Sequence, residues 1–190
     1  MSCQKCKEVF ILEHKSVTLN FMSEFDELIE KLEKFMQSLS IDSTSEKGLC
    51  SLEVEDLKDF FTLNIDAMNS YFNDMERENI KLFIQDKGIS FSIQGLLVAK
   101  PLQRFINLLE DKEFFDIINA ESLTSHFQPI VDMKTNTIYG YEALVRGVKE
   151  NGELMYPDDL FSKSKRNDLN FKLDKLCRES ALKTAATKKN

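Results

Sequence analysis

Hydrophobic positions along this chain follow two rhythms, and the switches between them mark out the elements. The short apolar stretches Val9-Phe10-Ile11-Leu12 and Val17-Thr18-Leu19-Asn20-Phe21 predict two strands. The rhythm then becomes helical: Phe25, Leu28, Ile29, Leu32, Phe35, Met36 and Leu39 fall on one face, with Ser23 placed as N-cap and Asp26 three residues on. Residues 40–49 are polar with a single Gly and predict a loop. A second helical region is expected over 53–77, its continuity weakened by Asn64, Asn69 and Asn73. Ile80, Leu82, Ile84 and then Ile89, Phe91, Ile93 alternate at period two on either side of Gln85–Gly88, the pattern of a β-hairpin. Pro101 suits the first turn of a helix carrying Leu102, Phe105, Ile106 and Leu109 inward, and a shorter helix follows at about 112–120. Residues 1–110 therefore read as a small α+β domain, regulatory or dimerising, and these patterns name no chemistry for it. The stripe from Phe25 to Leu39 suits a core or a partner helix equally, which leaves a homodimer open.

From Leu123 the chain reads LTSHFQPIVDMKTNTIYGYEALVRG. Two strands, 127–132 and 137–146, are joined by the polar turn MKTN. Alternation puts Ile138, Gly140, Glu142, Leu144 and Arg146 on one face and Tyr139, Tyr141, Ala143 and Val145 on the other; Gln128, Ile130 and Asp132 form one set on the preceding strand. The first of these faces mixes Gly, an acid, Leu and a base, a poor packing surface, whereas the second is uniformly packable. Isolated charges are costly to bury without partners, so the mixed face is expected to meet a ligand. Four residues of strand span roughly 13 Å, too far for Glu142 and Arg146 to pair directly, so they would address separate parts of one polar, extended ligand.

Composition narrows the ligand. Hydrophobic residues at 42% and charged residues at 30% describe a globular chain, and 15 Phe with no Trp imply a core of Phe, Leu and Ile. A net charge of −7 argues against a nucleic-acid polymer, which needs a basic surface, so an anion would bind only through local cations or a metal. No apolar run approaches the roughly 20 residues that cross a bilayer, and the N-terminus lacks the order of a signal peptide. Four Cys in 190 residues do not make a disulfide framework. The expectation is a cytoplasmic protein with no membrane partner.

The segments FQPIVD, YGYEALVRG, GELMYPDDLF and LDKLCRESAL, in this order and spacing, resemble the opening of the EAL domain family, over about residues 121–190. The family comprises metal-dependent bacterial phosphodiesterases of the second messenger cyclic di-GMP, built on a modified TIM barrel. The resemblance implies that Glu142 binds the metal, Mg²⁺ or Mn²⁺, that Arg146 contacts a ligand phosphate, that Gln128 and Leu144 line the site, and that Pro157 packs against it. The residue types suit these roles, since a carboxylate is a hard ligand for such ions and guanidinium is a planar, permanent cation for phosphate. The implied fold class is an α+β N-terminal domain, 1–110, followed over 111–190 by the opening β-hairpin and helices of an incomplete TIM-like (β/α)8 barrel. A (β/α)8 barrel takes roughly 250 residues, so a fragment is expected, catalytically incomplete as it stands. The implied function of the intact protein is hydrolysis of cyclic di-GMP to the linear dinucleotide; the alternative is a non-catalytic EAL-like receptor or protein-interaction module.

Other residues with chemical potential have plainer readings. Asp158 and Asp159 suit a helix N-terminus better than a metal. Cys3 and Cys6 form a C-x-x-C pair which, with His14 and Cys50, offers four zinc-ligand side chains; the spacing after the first pair is irregular for a zinc finger, and free thiols are the default. Cys177 lies on an apolar helical face, and His126 reads as a solvated or core histidine rather than a catalyst.

Overall fold

The computed structural model describes residues 14–46, 48–88 and 97–187. The chain divides into two compact units, one ending at Glu110 and the next beginning at Asp111. The expected strand at Val9–Leu12, the second hairpin strand at 89–93 and the Cys3/Cys6 pair lie outside the described residues.

In the first unit, β1 (Lys15–Met22), β2 (Thr44–Glu46), β3 (Leu49–Asp56), β4 (Lys81–Asp86) and β5 (Lys100–Pro101) form an antiparallel sheet in the order β2-β3-β1-β4-β5. Helices α1 (Asp26–Ser38), α2 (Leu57–Tyr71), α3 (Asp74–Asn79) and α4 (Leu102–Glu110) belong to the same unit. Val17, Leu19 and Phe21 alternate into the core from β1, and Leu19 lies between Leu52 of β3 and Ile84 of β4. Ile29, Leu32, Phe35 and Met36 of α1 join the same core, as do the stacked rings of Phe61 and Phe105, 5.5 Å apart.

Three local expectations change. Helix α1 starts at Asp26 with Phe25 as its N-cap residue; Ser23 Oγ accepts from the Phe25 N–H instead of capping, and Phe25 itself is exposed. The polar stretch at 40–49 holds β2, and Gly48, at φ +78°, takes the left-handed turn into β3. The region expected to be helical from 53 is strand up to Asp56. Cys50, Leu52 and Val54 alternate inward there with Ser51, Glu53 and Glu55 between them, and α2 begins where the Asp56 carboxylate accepts from Asp59 N–H at 3.0 Å. The helical region also breaks at Asn73, which starts α3 with a reciprocal capping box to Glu76.

The second unit contains α5 (Lys112–Asn119), an antiparallel sheet of β6 (Leu123–Asp132), β7 (Thr137–Val148) and β8 (Leu154–Met155), then α6 (Pro157–Arg166) and α7 (Asn170–Thr187). Its core is Phe114, Ile117, Ile118, Val145, Met155, Leu160, Leu173 and Leu176. Gly147 allows α5 and α6 to close on β7: a Cβ at that position would stand 2.9 Å from Ile117 Cδ1 and 3.2 Å from Leu160 Cδ2. The fold is thus mixed α and β with antiparallel sheets, and among the described residues this unit shows no barrel.

The fully buried carboxylate of Asp111 joins the start of α5 to the end of α6. It accepts from Lys163 Nζ at 2.6 Å, from Arg166 Nε at 2.5 Å and from Asn167 Nδ2 at 2.8 Å. Burial pushes its pKa up, but the hydrogen bonds from Arg166, Lys163 and Asn167 outweigh this and hold the carboxyl below its usual range.

Candidate functional site

The β6–β7 ladder decides which of the expected site residues share a face. Directly opposed residues project to the same side of a sheet, and the register pairs Gln128 with Glu142, His126 with Leu144 and Thr124 with Arg146. Gln128, Glu142, Leu144 and Arg146 therefore stand on one face, Gln128 and Glu142 as immediate neighbours. Both of these side chains are exposed, while Leu144 and Arg146 are half-buried. His126 shares this face and is exposed.

The alternation read from sequence fails at one end of β7. The register shifts between Ile130, opposite Gly140, and Val131, opposite Ile138, which leaves Tyr139 as the extra residue of a β-bulge. Ile138 is consequently set across from Val131 and leaves the face of Gly140 and Glu142. The opposite face is also less covered than its composition suggests: Tyr139 and Tyr141 are 83% and 59% exposed, and burial begins only at Val145. The reason is reach, because the core of this unit touches β7 near Val145 and Gly147 and the hairpin runs on past it. Asp132, which was grouped with Gln128, is used by the turn: its carboxylate accepts from Lys134 N–H at 2.8 Å, and this backbone bond followed by the Thr135 hydroxyl holds its pKa down.

Arg146 is positioned by groups that sequence reading passed over. Its Nη1 donates to the Val145 carbonyl at 2.7 Å, and its guanidinium carbon lies 4.9 Å from the centre of the Tyr156 ring. Pro157 follows as the first residue of α6, half-buried, with Asp158 and Asp159 in the first helical turn as expected of helix-favouring acids. The only signal for Tyr156 in the sequence was its place before a proline.

Glu142 is the one carboxylate that the expected site contributes. Among the described residues, no three His, Cys, Asp or Glu side chains converge to hold a metal ion, and a hard divalent cation takes six or more oxygen ligands. The described residues thus supply one donor and do not by themselves fit Mg²⁺ or Mn²⁺. Cys50 is buried in the first core, where burial raises its thiol pKa. Cys177 is half-buried against the second core, as expected. Among the described residues no helix is long and apolar enough to cross a membrane.

Comparison with known proteins bears on this unit. A search of curated proteins finds no match. Among solved structures, the Vibrio cholerae LapD S helix-GGDEF-EAL protein (bound to c-di-GMP) aligns at 11% identity over 93% of this chain and 53% of its own, with a TM-score of 0.34. The chain thus spans about half the length of that structure, and so low a score carries no argument about fold. The family model of the EAL domain matches residues 111–190. The resemblance carried by the four sequence segments is thereby borne out: residues 111–190 match the EAL domain family.

Proposed function

We propose that residues 111–190 carry the ligand-facing strands of a cyclic di-GMP domain, in an intact bacterial protein that hydrolyses this messenger to the linear dinucleotide. In this reading β6 and β7 open a TIM-like barrel, and residues 1–110 form a regulatory or dimerisation domain. The observation that supports it most directly is the β6–β7 register, which sets Gln128 beside Glu142 and keeps Leu144 and Arg146 on the same face. Arg146 would contact a phosphate, Glu142 would supply one carboxylate to a Mg²⁺ or Mn²⁺ site whose other ligands lie outside the described residues, and Gln128 and Leu144 would line the nucleotide.

Calorimetric titration of the chain with cyclic di-GMP tests the binding part of this reading. Arg146→Ala removes a charge-assisted contact of about 1.5–3 kcal/mol, a loss of affinity of roughly 10- to 150-fold. Unchanged affinity would make Arg146 a surface charge and would end the ligand-facing assignment. In an intact parent protein, Glu142→Gln should abolish turnover at every substrate concentration while binding persists, which distinguishes a phosphodiesterase from a receptor. A parent that binds without turnover before any substitution would favour the receptor.

A further inference from the structure

We infer that Tyr156 is a positioning residue for Arg146, holding the guanidinium ready for a phosphate through a contact across the β7–β8 pair. The inference rests on the proposed role of Arg146 and adds a residue to it. The β7–β8 ladder pairs Val148 with Leu154 and Gly147 with Met155. One step further along the same antiparallel register, Arg146 faces Tyr156, and the guanidinium carbon lies 4.9 Å from the ring centre. Two features keep the ring there. Met155, on the residue before, is buried in the core. Pro157, on the residue after, disfavours the helical region for Tyr156, whose φ of −84° and ψ of 164° are extended. The backbone of Tyr156 is therefore set by its neighbours on both sides rather than by the contact with Arg146.

The arrangement leaves the cation usable. The guanidinium carbon lies over the ring, Nη1 donates to the Val145 carbonyl, and a ring contact of this kind takes up no N–H donor, so donors remain for phosphate oxygens. An arginine with several freely rotating bonds loses entropy when it grips an anion; a ring that already restrains it lowers this cost. Tyr156 is 55% exposed, so it can be exchanged without opening the core. Its hydroxyl has no part in the inference, and phenylalanine should serve as well.

The experiment uses the 190-residue chain and two readouts. In the ligand-free chain, NMR should show the Arg146 side-chain protons shifted upfield by the ring, with the shift lost in Tyr156→Ala and kept in Tyr156→Phe; its absence from the unsubstituted chain would overturn the inference. In titrations with cyclic di-GMP followed by NMR up to millimolar concentration, Tyr156→Ala should weaken binding by about two- to fivefold, and Tyr156→Phe should bind like the original. Added to Arg146→Ala, the tyrosine change should cost nothing more. An equal loss with and without Arg146 would make Tyr156 an independent contact and sink the positioning role, as would failure of Tyr156→Phe to retain affinity. If Arg146→Ala itself has no effect, or the chain shows no binding at these concentrations, the proposed role of Arg146 fails and the positioning role goes with it. If Arg146→Ala weakens binding and Tyr156→Ala does not, only the positioning role fails.

Discussion

At the scale of single residues, Asp111 shows how a buried charge is made tolerable. Its carboxylate is inaccessible to solvent, yet it is met by Lys163, Arg166 and Asn167, so desolvation is offset by several charge-assisted bonds. Asp111→Ala removes the shared acceptor and strands those donors, at an expected cost of about 1–3 kcal/mol, kept moderate because Lys163 and Arg166 are partly exposed. Urea melts of the two chains at pH 7 measure it. The pH dependence has a definite sign. A carboxyl whose folded pKa lies below its unfolded value stabilises the fold above the unfolded pKa and loses that contribution as pH falls through the folded one. The original chain should thus lose stability below about pH 4 more steeply than Asp111→Asn does. Equal pH profiles would show that the Asp111 charge is not what holds α5 to α6. No sequence window could reveal this cluster, because Asp111 and its partners are separated by 52 to 56 positions.

At the scale of elements, starts and close approaches carry more information than lengths. The capping box at α3 satisfies two end groups reciprocally, Asn73 Oδ1 accepting from Glu76 N–H and Glu76 accepting from Asn73 N–H. Asn73→Ala should cost about 1 kcal/mol, read as a lower urea midpoint with an unchanged slope; a shift within error would mean that packing, not capping, starts the helix. Gly147 makes a different kind of demand. Its backbone angles are open to any residue, but the space is not, because Ile117 and Leu160 press against the strand. Gly147→Ala should destabilise by about 1–3 kcal/mol through overpacking, and Ile117→Val in the same chain should recover part of that loss. Lack of recovery would place the strain elsewhere than at the α5–β7 approach. Gly140, on the same strand, has open space around a would-be Cβ, so Gly140→Ala is the matched control and should leave the melt unchanged.

At the scale of the whole chain, the first unit has its own sheet, helices and core. Residues 1–110 expressed alone should therefore unfold cooperatively in denaturant, and a broad, non-cooperative transition would show that they need the rest of the chain. The second unit leads to an expectation about activity. One site carboxylate, with no metal-holding cluster among the described residues, should support no Mg²⁺- or Mn²⁺-dependent hydrolysis of cyclic di-GMP by these 190 residues. Turnover that Glu142→Gln abolishes would overturn this expectation.

What the sequence by itself determined was everything that depends on period and order. Buried stripes at helical spacing marked α1 and α4, alternation marked β1 and β4, the polar turn MKTN marked the join of β6 and β7, and four segments in order carried the EAL resemblance that the family match bears out. Tertiary structure decided the rest. Residues 53–56 satisfy a helical and an extended pattern alike, and pairing with β1 makes them strand. The bulge at Tyr139 moves Ile138 off the site face because register is a property of two strands together. The packable face of Tyr139 and Tyr141 stays open because composition records what a face could bury, not whether any element reaches it. The Asp111 clamp and the Tyr156–Arg146 contact arise between residues that only folding brings together. A local pattern states which side of an element seeks cover; the identity of the partner is a long-range fact, settled by the packing of the whole unit.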